Sequence, residues 1–115
     1  ASLKKINEIK YLFKKASESL INAKKKHKIS PKQNIVVMVD NNFVGEVTSD
    51  NIINQEKKTE NQAYLCVNGS SDIITSLLKN EIHWNNALLS MRLQWSRSPN
   101  FFCENTFHAL NYLRS

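Results

Sequence analysis

Leu3, Ile6, Ile9, Phe13, Ala16 and Leu20 recur at steps of three and four residues, the spacing that puts side chains on one stripe of an α-helix. Leu12 and Ala23 widen the stripe, and Tyr11 and Phe13 belong to or border it. Lys4, Lys14, Lys15, Lys25 and Lys26 fall on the opposite face at 100° per residue. The pattern predicts one amphipathic helix over 2–26. Lys24, Lys25, Lys26 and Lys28 load its C-terminal end, where cations favour the helix dipole. Ser30-Pro31 stops it, because the residue before proline avoids the α region.

The period then changes. Ile35 to Val39 is a continuous apolar run, as in a strand covered on both faces, and predicts a strand over 34–40. Asp40-Asn41-Asn42 is a turn signal, followed by a strand over 43–48 in which Gly45 marks a bulge. Residues 49–61 are polar and open to two readings, a short irregular strand or a flexible loop. A third strand spans 62–68. A helix over 71–79 follows, capped by Ser70 or Ser71, with Ile73, Ile74, Leu77 and Leu78 on its buried side. Residues 84–90 read as a short helix. In 91–96, Met91, Leu93 and Trp95 alternate with Arg92 and Gln94, the mark of a half-buried strand. Phe102, Cys103, Phe107, Leu110 and Leu113 define a last helix over 102–114. This order predicts a single α+β domain over 1–115, a small antiparallel or mixed sheet with helices packed on one side.

Charge changes the picture in one place. The 115 residues carry a formal net charge of +6. Residues 1–32 hold ten lysines against Glu8 and Glu18, whereas 33–115 are slightly acidic. The basic balance therefore belongs to the first helix. Its lysines face away from the apolar stripe, as on a solvated face. Aromatic interleaving for base stacking is missing, and no arginine precedes Arg92, which argues against nucleic acid. Binding of a polyanion through helix 1 stays as an alternative. No apolar run approaches the ~18 residues of a membrane span. The N-terminus also lacks the apolar core of a secretory signal, and Cys66 and Cys103 read as reduced thiols. A cytoplasmic location is expected.

The stretch from Tyr64 to Asn111 resembles the sterol-carrier-protein-like fold. The resemblance rests on Tyr64-Leu65-Cys66-Val67, Gly69-Ser70-Ser71-Asp72-Ile73-Ile74, the turn Asn80-Glu81, Met91-Arg92-Leu93-Gln94-Trp95 and the helix from Phe102 to Leu113. A narrower resemblance, carried by Glu81-Ile82-His83-Trp84-Asn85-Asn86-Ala87, Arg97-Ser98-Pro99-Asn100 and His108, is to the C-terminal segment of some metallo-β-lactamase-fold proteins. It implies a noncatalytic accessory domain beside a metal-dependent hydrolase domain. The metal centre of that superfamily needs a His-x-His-x-Asp-His string, which this chain, with His27, His83 and His108, does not contain. The start at Ala1 fits a segment of a longer polypeptide. The expected partners are the catalytic domain of the same polypeptide or a second copy.

The remaining chemistry is sparse. His83, Cys103 and His108 are suitable zinc ligands, but Cys103 and His108 form the one close pair and do not share a helix face well. A Cys–His nucleophilic pair needs a lowered thiol pKa and an orienting group. Two isolated glycines cannot build a phosphate loop. No cofactor and no catalysis within this chain are expected. His83-Trp84-Asn85-Asn86 is the most distinctive polar–aromatic cluster, with Trp84 as anchor and the asparagines as orienting amides. These four, with Arg97, are the candidate partner contacts. In the alternative reading, an apolar-ligand carrier, a tunnel would be lined by Val36, Met38, Phe43, Val44, Leu88, Leu89, Phe101 and Phe102.

Overall fold

The computed structural model describes residues 2–86, 92–99 and 103–115. The amphipathic stripe becomes α1 (Leu3–His27). Ser2 caps its start, the hydroxyl accepting from the Lys5 N–H at 3.2 Å. Its end lies before Ser30-Pro31: Lys28 turns left-handed, φ 55°, and the Ile29 N–H bonds back to the Lys24 carbonyl at 3.0 Å. That is a helix-ending geometry in which a buried apolar residue commonly follows the cap, and Ile29 is buried.

Beyond α1 lie β1 (Asn34–Val39), β2 (Asn42–Val47), β3 (Ile53–Asn54), β4 (Tyr64–Gly69), α2 (Ser71–Leu78), β5 (Gln94–Ser98) and α3 (Glu104–Leu110). The fold is α+β, with an open five-stranded sheet in the order β3-β2-β1-β4-β5. The sheet is mixed, since β1 and β4 run parallel while the other pairs are antiparallel. Asp40 and Asn41, φ 48° and 68°, join β1 to β2. Two successive positive φ values suit a tight hairpin turn.

Ile35, Val37, Val39, Val44, Val47 and Val67 share one core with Ile9, Phe13, Ala16 and Leu20 of α1 and Ile73, Ile74, Leu77 and Leu78 of α2. The extra residue of the β1–β2 bulge is Val44, since Val37 pairs with Gly45 and Met38 with Phe43. Gly45 itself takes an ordinary φ and serves a different purpose. A Cβ there would lie 2.4 Å from Cε2 of Phe13, so its missing side chain lets α1 lie against β2.

The other face of the sheet is covered by the connection from β3 to β4. Glu46, fully buried, accepts from Asn54 Nδ2 at 2.8 Å, Thr59 Oγ1 at 2.7 Å, the Thr59 N–H at 3.1 Å and Asn34 Nδ2 at 3.3 Å. Asn34 Nδ2 also donates to Gln62 at 2.9 Å, and Lys58 stands 4.2 Å from the centre of the Tyr64 ring. Polar groups in 54–62 thus compensate a buried carboxylate that would otherwise be costly. The 49–61 stretch, open between strand and loop, contains the two-residue β3 and then this wrap.

Several expected elements are displaced. The strand expected over 91–96 is β5 at Gln94–Ser98. Register decides this: Asn68 pairs with Gln94, Val67 with Trp95 and Tyr64 with Ser98, so Leu93 is buried just ahead of the strand. The helix expected over 102–114 is shorter, Glu104–Leu110, with residue 102 outside the described residues. After Leu110 the backbone tightens into three-residue bonds, Tyr112 N–H to Ala109 at 2.9 Å and Leu113 N–H to Leu110 at 3.0 Å. Of the helix expected over 84–90, residues 84–86 form a turn and 87–90 lie outside the described residues. Leu3 and Tyr11, placed on or beside the buried stripe, are 76% and 61% exposed.

Gly45→Ala is expected to destabilise the fold by about 1–3 kcal/mol, the usual cost of overpacking. Urea denaturation checks it. An unchanged midpoint would mean that α1 can lift off β2 without loss.

Candidate functional site

The His83–Asn86 turn follows α2, whose Ser70 cap accepts from the Ile73 N–H at 3.4 Å. Asn80 takes φ 63°, and the Glu81 N–H returns to the Ser76 carbonyl at 2.8 Å. This reverses the chain and aims Trp84 inward. Trp84 is buried, and its indole N–H donates to the Leu113 carbonyl at 2.9 Å. The last residues are tied down as well, the Ser115 N–H bonding to the Leu78 carbonyl at 2.7 Å. Around the anchor, His83, Asn85 and Asn86 remain exposed, and the Asn86 N–H closes the turn on the His83 carbonyl at 3.1 Å.

An aromatic row continues from this anchor. Trp84 meets Trp95 edge-on at 6.5 Å, and Trp95 meets Phe107 at 5.6 Å between ring centres. Such tilted contacts suit the charge distribution of aromatic rings. Three recesses, each of about 280 Å³, open along the row. One is lined by Asn80, His83, Trp84, Asn85, Asn111 and Arg114. The next shares Trp84 and Asn85 and adds Glu104, Phe107 and His108. The third holds Phe107, Trp95, Leu65 and Arg97. His83, Trp84, Asn85 and Arg97 therefore border one run of surface, with Phe107 shared between its last two recesses. Asn86 lies in the same turn.

Trp95, Phe107, Asn111 and Arg114 were not among the expected contacts. Trp95 and Phe107 read as core residues because they fit a strand or helix period, and only the packing of β5 beside α3 leaves them half-buried at a surface. Near the chain end, Tyr112 stacks on His27 at 5.2 Å and meets His108 edge-on at 5.9 Å, tying the last segment to the C-terminal end of α1.

The tunnel residues separate. Val36 is buried on the sheet face opposite the helices, and Val44 is buried at the bulge. Met38 and Phe43 pair with each other across β1 and β2 and are half-buried. Leu88, Leu89, Phe101 and Phe102 lie outside the described residues. The recesses given above are lined by other side chains.

Among the described residues no three His, Cys, Asp or Glu side chains converge as a metal set. No described helix is long and apolar enough to cross a membrane. No family model, curated protein or solved structure matches this chain.

The titratable groups with displaced pKa values lie away from this surface or at its margin. Burial lowers the pKa of Lys24, against the raising effect of nearby Asp50. Its ammonium donates to Asn51 Oδ1 at 2.6 Å and to the Ser49 carbonyl at 3.3 Å, so this lysine pins the 49–51 turn and does not join the solvated face. Burial pushes the Cys66 thiol up, more than the Ser96 hydrogen bond and Lys58 lower it. For Cys103, a raising effect of burial is outweighed by hydrogen bonds from Thr106 and from backbone N–H groups of Lys32, Thr106 and Asn105, so its pKa falls. Both cysteines are free.

Three outcomes are expected. At neutral pH, Ellman's reagent should modify Cys103 quickly and Cys66 slowly in the native protein, because the thiolate is the nucleophile; equal rates before denaturation would contradict this ordering. Trp84→Ala should cost about 3–5 kcal/mol in urea denaturation. Trp84→Phe, which leaves the Leu113 carbonyl without its donor, should cost about 1–3 kcal/mol.

Proposed function

We propose that this chain is a noncatalytic accessory domain that docks through the end carrying the His83–Asn86 turn. The partner is a metallo-β-lactamase-fold hydrolase domain of the same polypeptide or a second copy of the domain. One observation carries the reading: the buried Trp84, bonded to Leu113, holds an exposed polar turn against a row of aromatic recesses. A preformed surface of that kind orders few side chains on binding, which lowers the entropic cost of association. Its composition, with tryptophan, phenylalanine and Arg97 beside amides, matches the residue types enriched at protein interfaces. The resemblance in residues 81–87 and 97–100 supports the choice of partner. Two free thiols on separate elements support a reducing, cytoplasmic setting.

Hydrogen exchange on the full polypeptide tests the proposal. The amides of 83–86 should exchange much more slowly there than in the 115-residue chain. Asn85→Arg, on the exposed turn, should restore fast exchange while leaving the melting temperature of the chain by itself unchanged. A polypeptide without a His-x-His-x-Asp-His string, combined with fast exchange at 83–86 and a monomeric sedimentation profile, would overturn the reading.

A further inference from the structure

A recess of about 770 Å³ runs along the first three turns of α1. Leu3, Tyr11 and Leu12 line it from α1, and Thr75 and Lys79 from α2. From Leu3 to Leu12 the helix rises ~14 Å. Leu3 and Tyr11 are the apolar side chains that α1 leaves most exposed. The sequence pattern assigns Leu3 to the buried stripe, yet it is 76% exposed.

The charge at this groove is positive. Lys5 lies 4.0 Å from the Glu8 carboxylate, which leaves Lys4 and Lys79 at the margins, and Lys15 stands 5.2 Å from the centre of the Tyr11 ring. The first turn of α1 carries no acid to offset its dipole. Within the lining, Thr75 is buried and contributes wall rather than an exposed polar group.

We propose that the groove docks a short, acidic amphipathic helix from a partner protein. Apolar side chains spaced i, i+4 and i+7 lie against Leu3, Tyr11 and Leu12, and a carboxylate near them meets Lys79 and Lys4. The span from i to i+7 is ~10 Å, within the length of the groove. The recess is open to solvent. An acyl chain laid in it would leave one side in water, whereas a helix buries its apolar face and turns its polar face outward.

Selection from a displayed library of random peptides of about 15 residues, a length at which isolated helices become marginally stable, tests the proposal on the whole chain. Enriched peptides should be net acidic with the i, i+4, i+7 spacing. Leu3→Glu and Tyr11→Ala, both at exposed positions, should each weaken an enriched peptide ~10-fold or more without lowering the melting temperature. Lys79→Glu should weaken it ~5-fold, and a lysine in place of the peptide's carboxylate should restore the loss. The proposal is overturned if no sequence enriches, if enriched peptides are basic or lack the spacing, or if they bind the Leu3→Glu variant undiminished. It is also overturned, in favour of a lipid ligand, if dodecanoate displaces the peptide where acetate does not.

Discussion

The fold depends on how closely α1 can approach the sheet. Phe13 is fully buried over Gly45, and a single methyl group on that glycine would overlap its ring. Once the helix is seated at this depth, the rest of its length is committed. Ile9, Ala16 and Leu20 drop into the core, and Lys24, one turn beyond Leu20, is carried under the 49–51 turn, where it must find oxygen partners. The Lys10 carbonyl comes within 2.7 Å of the Gln55 amide, which ties the start of the wrap to the helix. Close packing makes such contacts interdependent, since the interior cannot deform continuously.

The two faces of the sheet are covered by different physics. Helices bury the valine face through apolar contact. The opposite face is covered by a polar connection whose centre is the Glu46 carboxylate, bonded to Asn34, Asn54 and Thr59. That division shapes the surface. With α1 and α2 over the sheet and residues 55–63 behind it, the β5–α3 side is left with half-buried aromatic rings, and the Trp84 turn closes its end.

Much of the fold was legible from periodicity. The stripe of α1, the Val-rich β1, the Asp40-Asn41 turn and the apolar face of α2 each follow from local spacing. Less of the site was legible. Trp84 stood out because an aromatic ring among amides is a conspicuous local pattern, but Phe107 and Trp95 look like any core residue until β5 and α3 are placed side by side. Leu3 misled for the opposite reason. It keeps the period of the stripe, yet among the described residues no element reaches far enough to bury it. Strand β5 keeps the alternation of 91–96 but runs from Gln94 to Ser98, because pairing with β4 begins at Asn68 and ends at Tyr64.

By itself the amino-acid sequence determined that α1 and α2 are helical and β1, β2 and β4 extended, where the positive charge lies and that the chain carries no His-x-His-x-Asp-His string, because these depend on residue type and near-neighbour spacing. Tertiary structure alone decided that β4 lies parallel to β1, that Glu46 and Lys24 are buried among polar partners, and that His83, Trp84, Asn85 and Arg97 border one surface. Those outcomes need residues distant in the chain to meet, and the free energy of each meeting is set by packing and desolvation that no local pattern encodes.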